Sequence, residues 1–289
     1  MRGSIIWKEM GGKMDRIKRN ERLAAMSRIL TGSPNRIYTL SHFTEMFGAA
    51  KSTISEDLSI LADTFAQFDL GRLTTVAGAA GGVIYRAVPS KQKTVATLEA
   101  LSERLSQRGR LLPGNFLYTT DITCDSDLSE LMGEILACRY YDKNPDFVLT
   151  METKGIPVAM MTARMLDVPL VIARRDSKAY EGSAVKINYI SGDAGDHIET
   201  MALARRAVTP GQKALIIDDF MKGGGTLRGM HDLMKEFDVE VVGTGVVIAT
   251  AEPKKKRVDG VTALLVLSQV NLDEGSAVVK PSDWVYELN

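Results

Sequence analysis

Two adjacent acids followed by a glycine-rich loop are the residues of this chain that best suit chemistry. Asp218 and Asp219 follow the apolar residues 214–217, and three consecutive glycines and a threonine lie in the loop 222–226. Glycines without Cβ atoms let backbone N–H groups converge on a phosphate, and the start of a helix adds partial positive charge. Carboxylates accept hydrogen bonds from sugar hydroxyls. The pattern predicts a site for a phosphorylated sugar, and an ordinary turn whose acids cap the helix is the alternative.

The acids and the loop need a sheet to position them. Four apolar residues bounded by polar ones predict a central parallel strand at 214–217, and a helical pattern begins at Leu227. Further strands are expected at 147–150, 169–173, 241–249 and 263–267. Because helical patterns separate several of them, we expect an α/β fold with a mostly parallel five-stranded sheet, which binds ligands at the carboxyl ends of its strands.

Two more loops end at the same edge of this sheet. Residues 151–157 contain Thr153, Lys154 and Gly155, which offer backbone N–H groups and a positive charge to a diphosphate. A long polar excursion follows the second strand to Gly195 and carries the cations Arg174, Arg175 and Lys178. A plain turn in the first loop and solvated cations in the second are the alternatives.

The N-terminal part of the chain is basic. Residues 1–36 contain 9 Lys and Arg against 3 Asp and Glu, whereas the formal net charge of the whole chain is zero. Helical patterns occur at 16–30, 40–47 and 51–65, and the third has a capping-box match at Thr53 and Glu56. Two β-prone runs with a glycine-rich tip follow at 71–88. This order predicts a winged helix, that is, a helix-turn-helix with a hairpin wing, which binds duplex DNA.

The residues predicted to contact DNA lie on the first helix, at the start of the third helix and on the hairpin. They are Arg16, Lys18, Arg19, Arg22, Lys51, Ser52, Thr53, Ser55, Arg72, Gly78, Gly81, Gly82 and Arg86.

Length and composition fit a two-domain globular protein. The chain has 289 residues, of which 45% are hydrophobic, and no apolar run approaches the roughly 20 residues of a membrane span. Residues 1–14 read as an upstream extension, 15–89 as the winged helix and 90–289 as the ligand-binding domain. Cys124 and Cys138 are expected to be reduced thiols in a cytoplasm. The basic run 253–258 is interpreted as a charged connection between two strands.

The motifs together resemble a known family. Residues 214–226 resemble the phosphoribosyl-pyrophosphate (PRPP) motif of type I phosphoribosyltransferases, although Gly223 stands where a hydroxyl residue is common. With segments 50–58, 76–83, 153–157 and 174–178, the chain resembles the purine operon repressors of Gram-positive bacteria. The resemblance implies a non-catalytic homodimer that represses purine genes by binding operator DNA and releases it when PRPP binds.

The resemblance also implies the ligands and their residues. The acids would bind the ribose hydroxyls, the loop 222–226 the 5′-phosphate, the loop 151–157 the diphosphate, and the excursion would form a hood. PRPP, with Mg²⁺, would occupy the site. A guanosine polyphosphate in the same pocket, with its base stacked on Phe220 and Tyr118, is a separate hypothesis from these aromatic residues. The implied effector-binding residues are Asp218, Asp219, Phe220, Met221, Lys222, Gly223, Gly224, Gly225, Thr226, Thr153, Lys154, Gly155, Arg174, Arg175, Lys178 and Tyr118.

Two other function classes remain open at this point. An active purine or pyrimidine phosphoribosyltransferase with an accessory N-terminal domain would carry the same PRPP motif. The sequence after the fifth strand, residues 268–271, shows no recognisable segment for base specificity, which favours a sensor. A nucleotide-binding module without DNA affinity would require the N-terminal pattern to dock a protein.

Overall fold

The computed structural model describes residues 17–78, 81–114, 116–176, 182–191, 197–271 and 275–288. Contacts divide the chain into two compact units, Met1–Ala87 and Val88–Asn289. In the described part of the chain, no helix is both long enough and apolar enough to cross a membrane. Cys124 and Cys138 are not joined in a disulfide bond. Arg16 and Lys178, two predicted site residues, lie outside the described residues.

The N-terminal unit is a winged helix. Its helices are α1 (Arg19–Gly32), α2 (Leu40–Phe47) and α3 (Lys51–Gln67). Its strands β1 (Ile37–Tyr38), β2 (Arg72–Val76) and β3 (Gly82–Arg86) form an antiparallel sheet in the order β1-β3-β2. The predicted wing is the β2–β3 hairpin, and β1 is an added strand that the sequence analysis did not identify. The core contains Met26, Leu30, Phe43, Ile54, Leu58, Leu61 and Phe65.

Local signals fix the helix-turn-helix. The Thr39 hydroxyl accepts a hydrogen bond from the His42 N–H at 3.2 Å and caps α2, which ends at Gly48 in a left-handed conformation with φ of 59°. The predicted capping box on α3 is wrong. The helix begins at Lys51, two residues before Thr53, and the Glu56 carboxylate pairs with Arg19 instead.

The C-terminal unit is an α/β domain around a six-stranded sheet. Its sheet strands are β6 (Phe147–Met151), β7 (Leu170–Ala173), β10 (Lys213–Met221), β11 (Glu240–Thr250), β12 (Thr262–Asn271) and β13 (Ser276–Pro281), in the order β13-β12-β11-β10-β6-β7. The five predicted strands are parallel to one another, as expected. The sixth, β13, pairs antiparallel with β12 at the edge. It was missed because a six-residue run that alternates buried and exposed positions is a weak signal.

Helices and two hairpins complete this unit. The helices are α4 (Lys91–Leu105), α5 (Thr120–Thr123), α6 (Ser126–Cys138), α7 (Ile156–Leu166) and α8 (Gly225–Glu236), with short 3-10 turns at Tyr141–Lys143 and Asp283–Val285. The hairpins are β4 (Leu111–Leu112) with β5 (Phe116–Leu117), and β8 (Ala184–Ser191) with β9 (His197–Ala204).

The strand β10 lies at the centre of the sheet between β11 and β6. Residues 214–217 are completely buried, as the apolar run predicts. Helix α8 buries Leu227, Met230, Leu233 and Met234 against the same core. The spacing of these residues places them on one face of the helix, so burial of that face fixes where the helix starts relative to the end of β10.

Candidate functional site

The two acids lie in the carboxyl-terminal half of β10. Asp218 is buried, Asp219 is half-buried, and the Asp219 N–H donates a hydrogen bond to Asp218 Oδ1 at 3.0 Å. Burial, and then the charge of Asp219, raise the pKa of Asp218 well above its ordinary value. Burial also raises the pKa of Asp219, against the opposing effect of hydrogen bonds and of the Lys154 charge. A ligand that brings hydroxyl donors or a cation would stabilise the ionised form of these buried carboxyl groups.

The phosphate loop, defined here as residues 222–224, leads directly into α8. Gly224 has φ of +84°, in the left-handed region that favours glycine, and α8 begins at Gly225, two residues earlier than the sequence predicts. Gly225 and Thr226 therefore belong to the first helical turn, whose N–H groups have no intrahelical acceptor. Because glycine at the N-cap provides no side-chain oxygen, these N–H groups suit an anion.

The diphosphate loop, residues 152–155, approaches the acids closely. Gly155 is buried, and a Cβ atom there would lie 2.5 Å from Asp218 Oδ1 and 2.6 Å from Thr150 Oγ1. Any side chain would push the loop away from the acid, so this position requires glycine. Thr150 Oγ1 is buried and has no hydrogen-bond partner among the described residues. Sequence reasoning missed Thr150 because a threonine inside a strand gives no signal of its own.

The two arginines after β7 are tied to acids. Glu152 Oε1 accepts the Arg175 backbone N–H at 2.7 Å, and Glu152 Oε2 lies 3.3 Å from Arg174 Nη1. Arg175 Nη1 lies 3.6 Å from Glu199 Oε2. Both arginines are predicted from the sequence to contact anions, and their acidic partners lie too far along the chain to be predicted from it. A ligand that takes either guanidinium must compete with a carboxylate.

The β8–β9 hairpin lies where the hood was predicted and contacts α8. The Tyr189 hydroxyl donates to Glu199 Oε2 at 2.7 Å, and its ring packs against Gly229. Burial, followed by Glu199, raises the pKa of Tyr189 to about 12, and Thr226 is a further hydrogen-bond partner. The structure thus brings Thr226 of the first α8 turn and Arg175 after β7 to neighbouring acid and hydroxyl groups on this hairpin.

Three predicted effector residues have other surroundings. The Met221 side chain is buried in the hydrophobic core, so the structure gives it a packing role and the predicted ligand contact is corrected. Phe220 is half-buried at the end of β10. The exposed Tyr118 ring lies 5.9 Å from the Arg110 guanidinium, and in the described ranges no ring contact joins it to Phe220. Base stacking on this pair stays a prediction.

The predicted DNA face of the N-terminal unit is largely open. Residues with exposed side chains are Lys18, Arg19, Lys51, Ser52, Ser55 and Arg72, and Thr53 is half-buried. Arg19 lies 2.8 Å from Glu56 and 3.2 Å from Asp57, so part of its charge is compensated. Arg86 Nε donates to Asn35 Oδ1 at 3.0 Å. The exposed residues at the start of α3 are placed as a recognition helix requires.

Arg22 and Gly82 do not belong to that face, which corrects the sequence prediction. Arg22 is buried, and its Nε donates to Asp57 Oδ2 at 2.7 Å. Gly82 is buried in β3, where a Cβ atom would lie 2.2 Å from the Tyr38 carbonyl oxygen on β1. Its missing side chain serves strand pairing within the unit.

The turn itself uses Gly81, since a Cβ atom there would lie 2.4 Å from the Val76 carbonyl oxygen. At the tip, only Gly78 has open space around its Cβ position among the three predicted glycines.

Among the residues that the structure describes, no group of three or more His, Cys, Asp or Glu side chains could hold a metal ion. A cation at the acids would need further oxygens from a ligand.

Two family models match the chain. The family described as "Bacterial purine repressor, N-terminal" matches residues 18–87, and "Phosphoribosyl transferase domain" matches residues 126–277. Together they cover the N-terminal helices and hairpin, the acids and all three loops of the site.

Similar proteins that match nearly all of this chain are regulators by name. The chain is 39% identical over 270 residues to the "Purine biosynthesis transcriptional repressor PurR" of Bacillus subtilis, with 93% of this chain and 94% of that protein covered. It is 35% identical over 264 residues to the "Purine biosynthesis transcriptional activator PurR" of Lactococcus lactis subsp. lactis, covering 91% and 97%. The crystal structure of adenine phosphoribosyltransferase from Rhodothermus marinus has a TM-score of 0.51 at 23% identity over 60% of this chain and 99% of the other, which shows the fold alone.

Proposed function

This chain belongs to the PurR family of purine biosynthesis regulators, and we propose that it represses purine genes by binding operator DNA and releases the DNA when PRPP binds. It is a transcriptional regulator rather than an enzyme, since the curated relatives that span nearly all of its length carry that function in their names. DNA is accordingly its partner. The finer points, namely the effector, the operator contacts and the dimeric state, are our proposals.

One observation carries the choice of effector. The acids, the phosphate loop and the diphosphate loop meet at the carboxyl ends of β10 and β6, and Gly155 lies against Asp218. PRPP has a monophosphate at one end of its ribose and a diphosphate at the other. The site offers hydroxyl acceptors between two loops suited to anions, which matches that order of groups.

Mg²⁺ fits the acids when PRPP accompanies it. Mg²⁺ is typically held by one or two carboxylates together with the phosphate oxygens of a ligand. Asp218 and Asp219 are the carboxylates that would hold it. A bound cation would supply the positive charge that two adjacent, poorly hydrated carboxyl groups lack, and would lower the pKa of both.

The physical basis of release is linkage. An effector changes DNA affinity only by the difference in its own affinity for the free and the DNA-bound protein. PRPP need not react for this purpose, so the site can keep its ligand without a chemical step. We further propose that the regulator acts in the bacterial cytoplasm as a homodimer, because a two-fold protein reads two half-sites of a symmetric operator.

The proposal is tested on a fluorescently labelled duplex from a purine-gene promoter. Anisotropy titrations should give a dissociation constant that rises about fivefold or more at saturating PRPP with Mg²⁺, a typical size for allosteric coupling. It should also rise steeply with salt, because Lys and Arg displace counterions from DNA phosphates. Parallel titrations with a guanosine polyphosphate measure whether this second ligand also lowers the operator affinity. Operator affinity that PRPP leaves unchanged would refute PRPP as the effector.

A further inference from the structure

The basic loop, residues 253–258 between β11 and β12, lies against the phosphate loop. It contains Lys254, Lys255, Lys256 and Arg257 in succession, and in the sequence it looks like a solvated connection. The structure joins its backbone to the site, because the Arg257 N–H donates a hydrogen bond to the Gly223 carbonyl oxygen at 2.9 Å. A Cβ atom on Gly224 would lie 3.5 Å from the Arg257 nitrogen, so the two loops are in van der Waals contact.

Lys256 makes the side-chain contact between the two loops. Its Nζ donates to the Lys222 carbonyl oxygen at 2.6 Å and to Thr250 Oγ1 at 3.1 Å. The Thr250 hydroxyl itself donates to the Glu252 carbonyl oxygen, which leaves its lone pairs free to accept from Lys256. Lys256 is half-buried, whereas its neighbour Lys255 is exposed. A strongly hydrated ammonium held at two oxygens is fixed in place.

These contacts set the direction of the glycine N–H groups. In a planar trans peptide the carbonyl oxygen and the N–H of the next residue point in opposite directions. Holding the Lys222 oxygen therefore turns the Gly223 N–H away from the basic loop, and holding the Gly223 oxygen does the same for the Gly224 N–H. Neither of these N–H groups has an acceptor among the residues that the structure describes. Both are thus oriented by the basic loop and open to a ligand.

We propose that Lys256 is a positioning residue of the 5′-phosphate site: it fixes the peptide that presents the Gly223 N–H to the phosphate. The inference rests on the proposed function, in which the phosphate loop takes the 5′-phosphate of PRPP. It adds a fourth loop to the phosphate loop, the diphosphate loop and the hood, which the family resemblance implies. The ligand class is a sugar 5-phosphate.

A purely structural role makes a different prediction. If Lys256 only holds the basic loop against the domain, replacing it lowers the melting temperature and leaves the ligand affinities at their wild-type values. If the basic loop acts only through its summed charge, replacing Lys255 lowers the affinity for anions as much as replacing Lys256 does. Affinity for separate halves of PRPP distinguishes these cases.

The experiment compares Lys256→Met, Lys256→Arg and the matched control Lys255→Met in the full-length protein. Isothermal titration calorimetry with PRPP, ribose 5-phosphate and pyrophosphate measures each half of the ligand. Lys256→Met should lower the affinity for PRPP and for ribose 5-phosphate about tenfold, as expected for a lost charge-assisted contact. The affinity for pyrophosphate should stay within about twofold of the wild-type value. Lys256→Arg should recover part of the loss, since the charge remains but the donor geometry changes. Lys255→Met should change all three affinities by less than about twofold.

The outcomes separate the inference from its premise. Equal weakening by Lys255→Met and Lys256→Met, or equal loss of ribose 5-phosphate and pyrophosphate, would overturn the positioning role, as would unchanged affinities in Lys256→Met. Wild-type protein that binds neither PRPP nor ribose 5-phosphate would instead refute the proposed function, and the inference with it.

Discussion

Asp218 is the residue where binding and stability oppose each other. Its carboxyl group is buried beside a second acid, and its pKa is raised well above the ordinary value. A carboxyl group with a raised pKa binds more protons in the folded than in the unfolded protein. Its contribution to stability therefore falls as pH rises from the unfolded pKa towards the folded one. The acid is costly to the empty protein at neutral pH, and a ligand with hydroxyl donors or a cation offsets that cost.

Asp218→Asn should consequently stabilise the C-terminal unit at pH 7 and weaken PRPP binding. The expected gain is about 1–3 kcal/mol, the usual cost of a buried polar group with incomplete partners. It should shrink as pH falls towards 4, because the native aspartic acid is then protonated. Urea unfolding at several pH values measures the gain, and calorimetry with PRPP measures the affinity.

Asp121→Asn is the control of opposite sign. Hydrogen bonds from Arg110 and Arg104 lower the pKa of Asp121, so this acid contributes stability above its unfolded pKa and loses it as pH falls. The control should be less stable than wild type at pH 7, by an amount that shrinks in acid. An Asp218→Asn protein that is also less stable at pH 7 would contradict the account of the acid pair.

At the scale of elements, an ion pair joins α1 to α3 in the winged helix. Arg22 and Asp57 are both buried, and their side chains meet at 2.7 Å. Arg19 Nε also lies 3.2 Å from Asp57 Oδ1, although without hydrogen-bond geometry. Removing one partner of a buried pair leaves an uncompensated charge, whereas replacing both by apolar residues is often neutral or stabilising.

Arg22→Met should therefore destabilise the N-terminal unit by about 3–5 kcal/mol and abolish DNA binding through unfolding. The double variant Arg22→Met with Asp57→Leu should recover folding and most of the operator affinity. Circular dichroism melting and anisotropy with operator DNA measure both effects. If the double variant folds but still fails to bind DNA, Arg22 contacts DNA directly and the structural assignment is wrong.

The elements that the sequence predicts best are those with strong local patterns. Examples are the apolar run at 214–217 and the residues of α2. Both can be predicted because burial and capping select residue types at neighbouring positions of the sequence. The errors are tertiary in origin. Arg22 looked like an exposed basic residue because its partner lies 35 positions away, and β1 and β13 are short edge strands defined by what they pair with.

The site shows the same division between local and distant information. The glycines, the acids and the diphosphate loop are recognisable from spacing, since their chemistry depends on adjacent residues. The partners Glu152, Glu199, Tyr189 and Lys256 come from separate elements that folding brings together. Lys256 in particular lies in a run that resembles any charged surface loop, so only its contact with the Lys222 carbonyl oxygen reveals it.

At the scale of the whole molecule, we propose that a protein without formal net charge binds two kinds of anion, operator DNA and PRPP. Net positive charge lies near the N-terminus, where residues 1–36 contain 9 Lys and Arg against 3 Asp and Glu, and the rest of the chain is correspondingly acidic. This is the part of the chain that we propose contacts DNA phosphates. The two binding events compete only through a coupling free energy, which is the same whichever ligand binds first. This reciprocity needs no assumption about how the two units are arranged.

The central claim is that PRPP and operator DNA oppose each other's binding, and paired titrations test it most directly. Operator affinity is measured with and without saturating PRPP, and PRPP affinity with and without saturating operator, at one salt concentration and in the same Mg²⁺. The account predicts that both affinities fall by one common factor, about 5-fold to 150-fold. PRPP that binds the free and the operator-bound protein with equal affinity would contradict it.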